Sequence, residues 1–194
     1  MKVAIVKYNA GNTASVANAL GRLGIEPLIT DDAAVLTGAD KVIFPGVGEA
    51  STAMRHLRDR GLDGVIKSLS QPVLGICLGM QLLCTSSQEN DTECLGVMPY
   101  QVRKFQSTSL KIPHVGWNTV EDLGSTLFDG ITGGEHVYFV HGYYVETGEQ
   151  ATATCTYVEK FSAAFEYRNF YGVQFHPERS GNAGHLILEN FLKI

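Results

Sequence analysis

Cys77 stands in Gly75-Ile76-Cys77-Leu78-Gly79, directly after the apolar run Pro72-Val73-Leu74. A buried strand that hands over to a helix at such a turn is the setting of a nucleophile elbow of the G-x-S-x-G type, here with sulfur in place of oxygen. The turn holds the nucleophile in strained backbone geometry, and the flanking glycines let neighbouring main chain approach without Cβ clashes. A helix beginning near Leu78 would aim unpaired N–H groups and the positive end of its dipole at the sulfur, favouring its anionic form. For an isolated cysteine in an apolar run the plain alternative is a structural core residue. Cys84, Cys94 and Cys155 have no comparable setting and are read that way.

Further along, Tyr171-Gly172-Val173-Gln174-Phe175 leads into His176-Pro177-Glu178. Proline biases the residue before it towards an extended backbone, and side chains at i and i+2 of an extended chain share one side. His176 and Glu178 are therefore expected to meet, the carboxylate holding one imidazole nitrogen so that the other faces the thiol. The remaining histidines, His56, His114, His136, His141 and His185, lack an equally placed acid, although His141 ends a strand-like run. A third segment, Lys41-Val42-Ile43-Phe44-Pro45-Gly46-Val47-Gly48, is a short apolar strand running into a glycine loop. Such a loop can turn N–H groups towards a developing negative charge, and Gly46, Val47 and Gly48 with the Leu78 N–H would form an oxyanion hole. Taken alone, the loop could equally be a plain turn; with no Lys-Ser/Thr after it, it is a weak phosphate cradle.

These segments need a scaffold, and the first half of the chain supplies the pattern of one. Short apolar runs at residues 3–6, 27–29, 41–44 and 72–76 alternate with amphipathic stretches at 15–23, 49–60, 63–69 and 80–84, as in βαβ units on a parallel sheet. The second half is strand-rich, with runs at 119–120, 135–141, 143–146, 151–155, 163–167 and 170–175 that mostly suit antiparallel pairing. Arg168-Asn169 reads as a tight hairpin with Asn169 free to take positive φ, and residues 183–192 as a closing helix capped by Ser180 or Asn182.

With 194 residues, 44% of them hydrophobic and 18% charged, the chain is long enough to bury a sizeable core and is expected to form one domain over 1–194. A net charge of -5 argues against nucleic acid as a partner. No apolar run approaches a membrane span, so a cytoplasmic location is expected, where structural disulfides are rare. The cysteine and histidine spacings contain no metal-ligand pattern, and neither a metal nor a cofactor is expected.

Gly75-Ile76-Cys77-Leu78-Gly79-Met80-Gln81, Pro45-Gly46-Val47-Gly48 and Gln174-Phe175-His176-Pro177-Glu178 together resemble, in order and separation, the class I, triad-type glutamine amidotransferases. The resemblance implies a flavodoxin-like, three-layer α/β sandwich with a mostly parallel central sheet and additional antiparallel strands in the C-terminal half. It implies a Cys77-His176-Glu178 triad, a glutamate thioester on Cys77, and glutamine bound by Gln81 with His141, Gly142 and Tyr143. Tyr8-Asn9-Ala10-Gly11-Asn12, Pro113-His114-Val115-Gly116-Trp117-Asn118 and Tyr138-Phe139-Val140-His141-Gly142-Tyr143-Tyr144 narrow it further. They are similar to the glutaminase subunits of imidazole glycerol phosphate synthases in histidine biosynthesis, over essentially the whole chain. That likeness implies a heterodimer with a (β/α)8-barrel cyclase subunit that receives the ammonia, and Trp117, Asn118, Tyr138 and Arg179 are candidates for its docking face.

Two positions depart from that pattern: Gly142 stands where Ser or Thr is common, and Arg179 where Lys is common. Gly142 leaves only backbone groups to offer, and Arg179 replaces a compact ammonium by a planar fork. Other readings remain: a glutaminase serving a pyridoxal phosphate or guanylate synthase, a cysteine peptidase or γ-glutamyl hydrolase, or a non-catalytic binding subunit on the same scaffold.

Overall fold

The structure is a computed structural model that describes residues 1–194. Its first half alternates strands and helices: Val3–Val6 (β1), Thr13–Arg22 (α1), Leu28–Thr30 (β2), Ala33–Thr37 (α2), Lys41–Gly46 (β3), Ala50–Asp59 (α3), Leu62–Ser68 (α4), Val73–Cys77 (β4) and Leu78–Leu82 (α5). Strands dominate afterwards: Ser86–Ser87 (β5), Thr92–Glu93 (β6), Gln101–Lys104 (β7), His114–Thr119 (β8), His136–His141 (β9), Tyr143–Val145 (β10), Ala151–Thr156 (β11), Lys160–Tyr167 (β12) and Phe170–Val173 (β13). The helix Gly181–Lys193 (α6) closes the chain, and no helix is long and apolar enough to cross a membrane.

A seven-stranded sheet in the order β11-β12-β13-β4-β3-β1-β2 forms the middle layer. From β2 to β13 neighbours run parallel, and β12 and β11 extend the sheet antiparallel. Because successive side chains of a strand point to opposite faces, β1 and β3 feed two cores. Ala4, Val6, Val42 and Phe44 join Leu57, Met80 and Phe165 on one side, while Val3, Ile5 and Ile43 join Leu20, Phe175 and Phe191 on the other. The result is a three-layer α/β sandwich. A four-stranded sheet, β10-β7-β5-β6, and the antiparallel ribbon β8–β9 lie outside it.

Several details differ from the sequence expectation. Helix α2 and strands β5, β6 and β7 were not expected; each is too short for its periodicity to register, although Asp32 caps α2 by accepting from Ala34 N and Val35 N at 2.8 and 3.1 Å. The ribbon strand β8 covers the whole of 114–119, where only 119–120 was read as extended. In the β12–β13 turn it is Arg168, with φ 57°, that takes the positive angle. The Asn169 side chain instead donates to the Leu69 and Gln71 carbonyls, both at 2.8 Å, tying the hairpin to the loop before β4. Helix α6 starts at Gly181, and Ser180 sits at its N-cap position without capping it. The Ser180 hydroxyl donates to the His176 carbonyl at 2.7 Å and accepts from Tyr138 N at 2.9 Å, so it fastens the segment after β13 to β9.

The β4–α5 elbow rests on a close approach to β3. A Cβ built on Gly79 would lie 1.8 Å from the Phe44 carbonyl oxygen, and one on Gly46 would lie 2.5 Å from the Tyr8 hydroxyl and 2.7 Å from Gly79 N. Backbone, not a flexible side chain, fills the space at Gly79, so no rotamer change relieves the clash. Gly79→Ala is expected to lower stability by about 3 kcal/mol or more, read from chemical denaturation; an unchanged midpoint would show that α5 does not need this contact.

Candidate active site

Strand β4 ends at Cys77, whose φ of 53° and ψ of -110° are far from the relaxed basins of an L-residue. Strain of this kind costs on the order of 1–3 kcal/mol and persists only where surrounding structure imposes it. Here the parallel neighbours β3 and β13 and the packed helix α5 impose it. The sulfur lies 3.7 Å from the Val140 carbonyl oxygen and accepts from Gln174 Nε2 at the same distance.

His176 follows β13 in an extended conformation, while Glu178 lies in the one-turn 3-10 helix Pro177–Arg179. The pair meets, with His176 Nδ1 2.9 Å from Glu178 Oε1, but through that turn and not through the continuous extended backbone that the sequence suggested. Both side chains are buried, and Glu178 Oε2 has no hydrogen-bond partner. Burial works against a charged imidazole here. It is outweighed by the Cys77 sulfur and the Glu178 carboxylate, which together push His176 up to about 10.

A cleft of about 300 Å³ opens at this point. Cys77, Leu78, Gln81, Val47, Gly48, His141, Gly142, Tyr143, His176 and Arg179 line it, and Gly46 and Glu178 lie behind the wall. Asn12, Glu89, Pro113 and Val140 line it as well, none of them singled out as a site residue from the sequence. Glu89 sits in the irregular turn after β5 and accepts from Ala50 N at 2.7 Å. Burial raises its pKa above the ordinary carboxylate value. Its only sequence signal was an acid in a polar loop, which does not distinguish it from Glu93.

The glycine loop has one feature that bears on the oxyanion expectation. Val47 N donates to the Ala10 carbonyl at 2.5 Å, and Gly48 takes φ 104°. In this conformation the Val47 N–H is committed to the loop after β1. Leu78, the first residue of α5, has no acceptor within the helix for its own N–H.

Both ring nitrogens of His141 are also committed, Nδ1 to the Tyr143 carbonyl at 2.8 Å and Nε2 to His114 Nδ1 at 3.1 Å. Residues 141–143 line the cleft, but neither imidazole nitrogen of His141 is free to bind a ligand there. On the outer face of the β8–β9 ribbon, Trp117 is 55% exposed and packs edge-on against Tyr138 at 5.8 Å, and the Arg179 guanidinium lies 5.4 Å above the Tyr138 ring. Asn118 points the other way, donating to the Thr156 carbonyl at 3.0 Å, so it does not share that face.

An α/β sheet that delivers a cysteine at a strained elbow, beside a buried histidine–carboxylate pair, has the layout of an enzyme that works through a cysteine nucleophile. The chain belongs to the glutamine amidotransferase class-I family, whose model matches residues 4–194. It is 56% identical over 196 residues to imidazole glycerol phosphate synthase subunit HisH of Bacteroides fragilis (strain YCH46), with 100% of both chains covered. It is 45% identical over 200 residues to subunit HisH 1 of Vibrio vulnificus (strain YJ016), covering 100% of this chain and 98% of the relative. Among solved structures, one described as a glutamine amidotransferase superposes with a TM-score of 0.77 at 20% identity, covering 100% of this chain and 98% of that one. PurLQS from Thermotoga maritima superposes with a TM-score of 0.72 at 19% identity, covering 99% and 97%. At those identities the superpositions establish the fold alone.

Because folded His176 titrates above its usual value of 6.5, its charged form contributes stability that is fully present below about pH 6.5 and is lost as pH rises through about 10. Replacing Glu178 by Gln removes one of the two groups that raise it. In Glu178→Gln the His176 midpoint, followed by NMR of ring carbons, is expected to fall towards neutrality. An unchanged midpoint would mean that the carboxylate does not support the charge.

Proposed function

We propose that the chain is the glutaminase subunit of an imidazole glycerol phosphate synthase, that residues 1–194 act as one glutaminase domain, and that Cys77, His176 and Glu178 carry the reaction. The observation that carries the chemistry is the strained elbow cysteine beside a histidine held 2.9 Å from a buried carboxylate. The choice among amidotransferases is supported by relatives of 45–56% identity over the full chain.

Free glutamine occupies the cleft with its side-chain amide against Cys77. Both N–H donors of Gln81 are engaged, with the Tyr143 carbonyl and with Gln174 Oε1, each at 2.9 Å. Gln81 therefore offers the ligand its carbonyl oxygen, an acceptor suited to the α-ammonium group, and Glu89 adds negative charge on the same cleft. The Cys77 sulfur attacks the amide carbon, and the carbonyl electrons move onto oxygen, where the Leu78 N–H receives them. As the intermediate collapses, the carbon–nitrogen bond breaks and His176 gives its Nε2 proton to the departing ammonia. A water molecule, deprotonated by the same nitrogen, then hydrolyses the thioester and releases glutamate. Glu178 keeps Nδ1 occupied throughout.

The Gly46 to Gly48 loop supplies control. Rotation of the peptide between Gly46 and Val47 would release the Val47 N–H from Ala10 and turn it towards the oxyanion, so the resting bond holds back one donor. Ammonia released to neutral water is mostly protonated and no longer nucleophilic, so it has to pass directly to its acceptor. The aromatic face of Trp117 and Tyr138, with Arg179 reaching from that face to the cleft, is where a (β/α)8-barrel cyclase subunit would dock. Tryptophan, tyrosine and arginine dominate the energetics of such contacts.

Cys77→Ala is expected to lower glutamate release by about a thousandfold or more; normal hydrolysis would remove the nucleophile assignment. Mixed with the cyclase, the chain is expected to form a one-to-one complex whose glutaminase rate rises when the cyclase holds its own ligand. Trp117→Ala is expected to weaken the complex roughly tenfold or more by calorimetry. Equal rates with and without the liganded cyclase would remove the coupling.

A further inference from the structure

His114 on β8 and His141 on β9 are buried, take no part in the steps above, and share a hydrogen bond whose direction is forced. A carbonyl oxygen can only accept, so His141 Nδ1, 2.8 Å from the Tyr143 carbonyl, carries a hydrogen. Burial keeps His141 neutral, with its pKa lowered to about 3, so its Nε2 is a bare acceptor. His114 Nδ1, 3.1 Å away, must then be the donor. Burial lowers His114 to about 4, which leaves its Nε2 bare, facing the Asn118 amide nitrogen at 3.5 Å. The Tyr143 carbonyl that ends this relay is the one that receives Gln81 Nε2, whose other hydrogen goes to Gln174 Oε1. Gln174 Nε2 in turn donates to the Cys77 sulfur at 3.7 Å.

We propose that His114 and His141 are positioning residues which hold the Tyr143 carbonyl where it receives Gln81 Nε2, and so keep the Gln81 amide placed to accept the ammonium end of glutamine. The inference rests on the proposed binding of glutamine against Gln81. Each link has one allowed direction. If His114 Nδ1 lost its hydrogen, His141 could adopt the other tautomer, and the Tyr143 carbonyl would lose a donor. The carbonyl would then be held by Gln81 Nε2 alone and could shift, carrying the Gln81 amide out of line with the ammonium. The relay also begins on β8, the strand whose opposite face carries Trp117, so it connects that ribbon to the nucleophile by hydrogen bonds alone.

His114 also stacks on Tyr157 at 4.0 Å and on Phe139 at 4.9 Å, so a packing role makes the opposite forecast for substitutions. In His114→Asn the amide nitrogen occupies the place of Nδ1 and can donate to His141, but the ring is lost. In His114→Phe the ring is kept and the donor is lost. The full chain in complex with its cyclase is assayed for glutamine KM and kcat, and histidine 15N shifts report the tautomers. His114→Asn is expected to hold KM within about threefold of wild type, whereas His114→Phe raises it roughly tenfold, the effect of one buried hydrogen bond, with a smaller change in kcat. The Nδ1–H form of His141 is expected in wild type and in both variants, because the Tyr143 carbonyl accepts from it in each. The reverse order of KM values, or a wild-type His141 that carries its hydrogen on Nε2, would overturn the proposal. The tautomer measurement on wild type needs no variant to fold, and wild-type glutamate release in the same series tests the underlying glutaminase reading separately.

Discussion

Helix α5 lies so close to β3 that the Phe44 carbonyl oxygen occupies the space a side chain at Gly79 would need. That approach sets the sharpness of the turn out of β4, and the turn sets the angles at Cys77. Cys77 is thus placed by main-chain packing two residues away, with no hydrogen bond of its own strong enough to hold it. The remaining groups arrive from β13 and from the β8–β9 ribbon. Both are registered to the same point, β13 through its parallel pairing with β4 and the ribbon through Tyr138, whose carbonyl accepts from His176 N at 2.9 Å.

Around that point the structure keeps one histidine charged and two neutral within a small volume. His176 gains from a sulfur and a carboxylate, whereas the ring nitrogens of His114 and His141 meet a carbonyl, an amide and each other. Burial lowers all three, so the difference comes from partners and not from depth. Proximity to His176 is itself among the causes that keep His141 uncharged. One charged imidazole thus sits beside two neutral ones.

The elbow, the histidine–carboxylate pair and the glycine loop were legible in the sequence because each is a short run in which glycine or proline restricts the backbone around a reactive side chain. The parallel half of the sheet was legible from continuous apolar runs. What stayed hidden depends on contacts across long separations in the chain. Glu89 reaches the cleft through an irregular turn, and Val47 turns its N–H to Ala10. Asn118 faces inward although its neighbour Trp117 faces out, a consequence of strand alternation in a segment where 114–118 was not read as a strand. Arg168 instead of Asn169 takes the positive angle because the Asn169 amide is needed to bridge two loop carbonyls.

Four free cysteines make the nucleophile assignment open to a direct test. Cys84, Cys94 and Cys155 are held above the ordinary thiol value by burial, and of the four buried cysteines Cys77 alone lines the cleft. The chain is incubated with a diazoketone analogue of glutamine, digested and examined by peptide mass spectrometry. A single adduct on the Cys77 peptide, prevented by excess glutamine and accompanied by loss of glutaminase activity, is expected. An adduct on any other cysteine, or full activity after Cys77 is completely modified, would contradict the assignment.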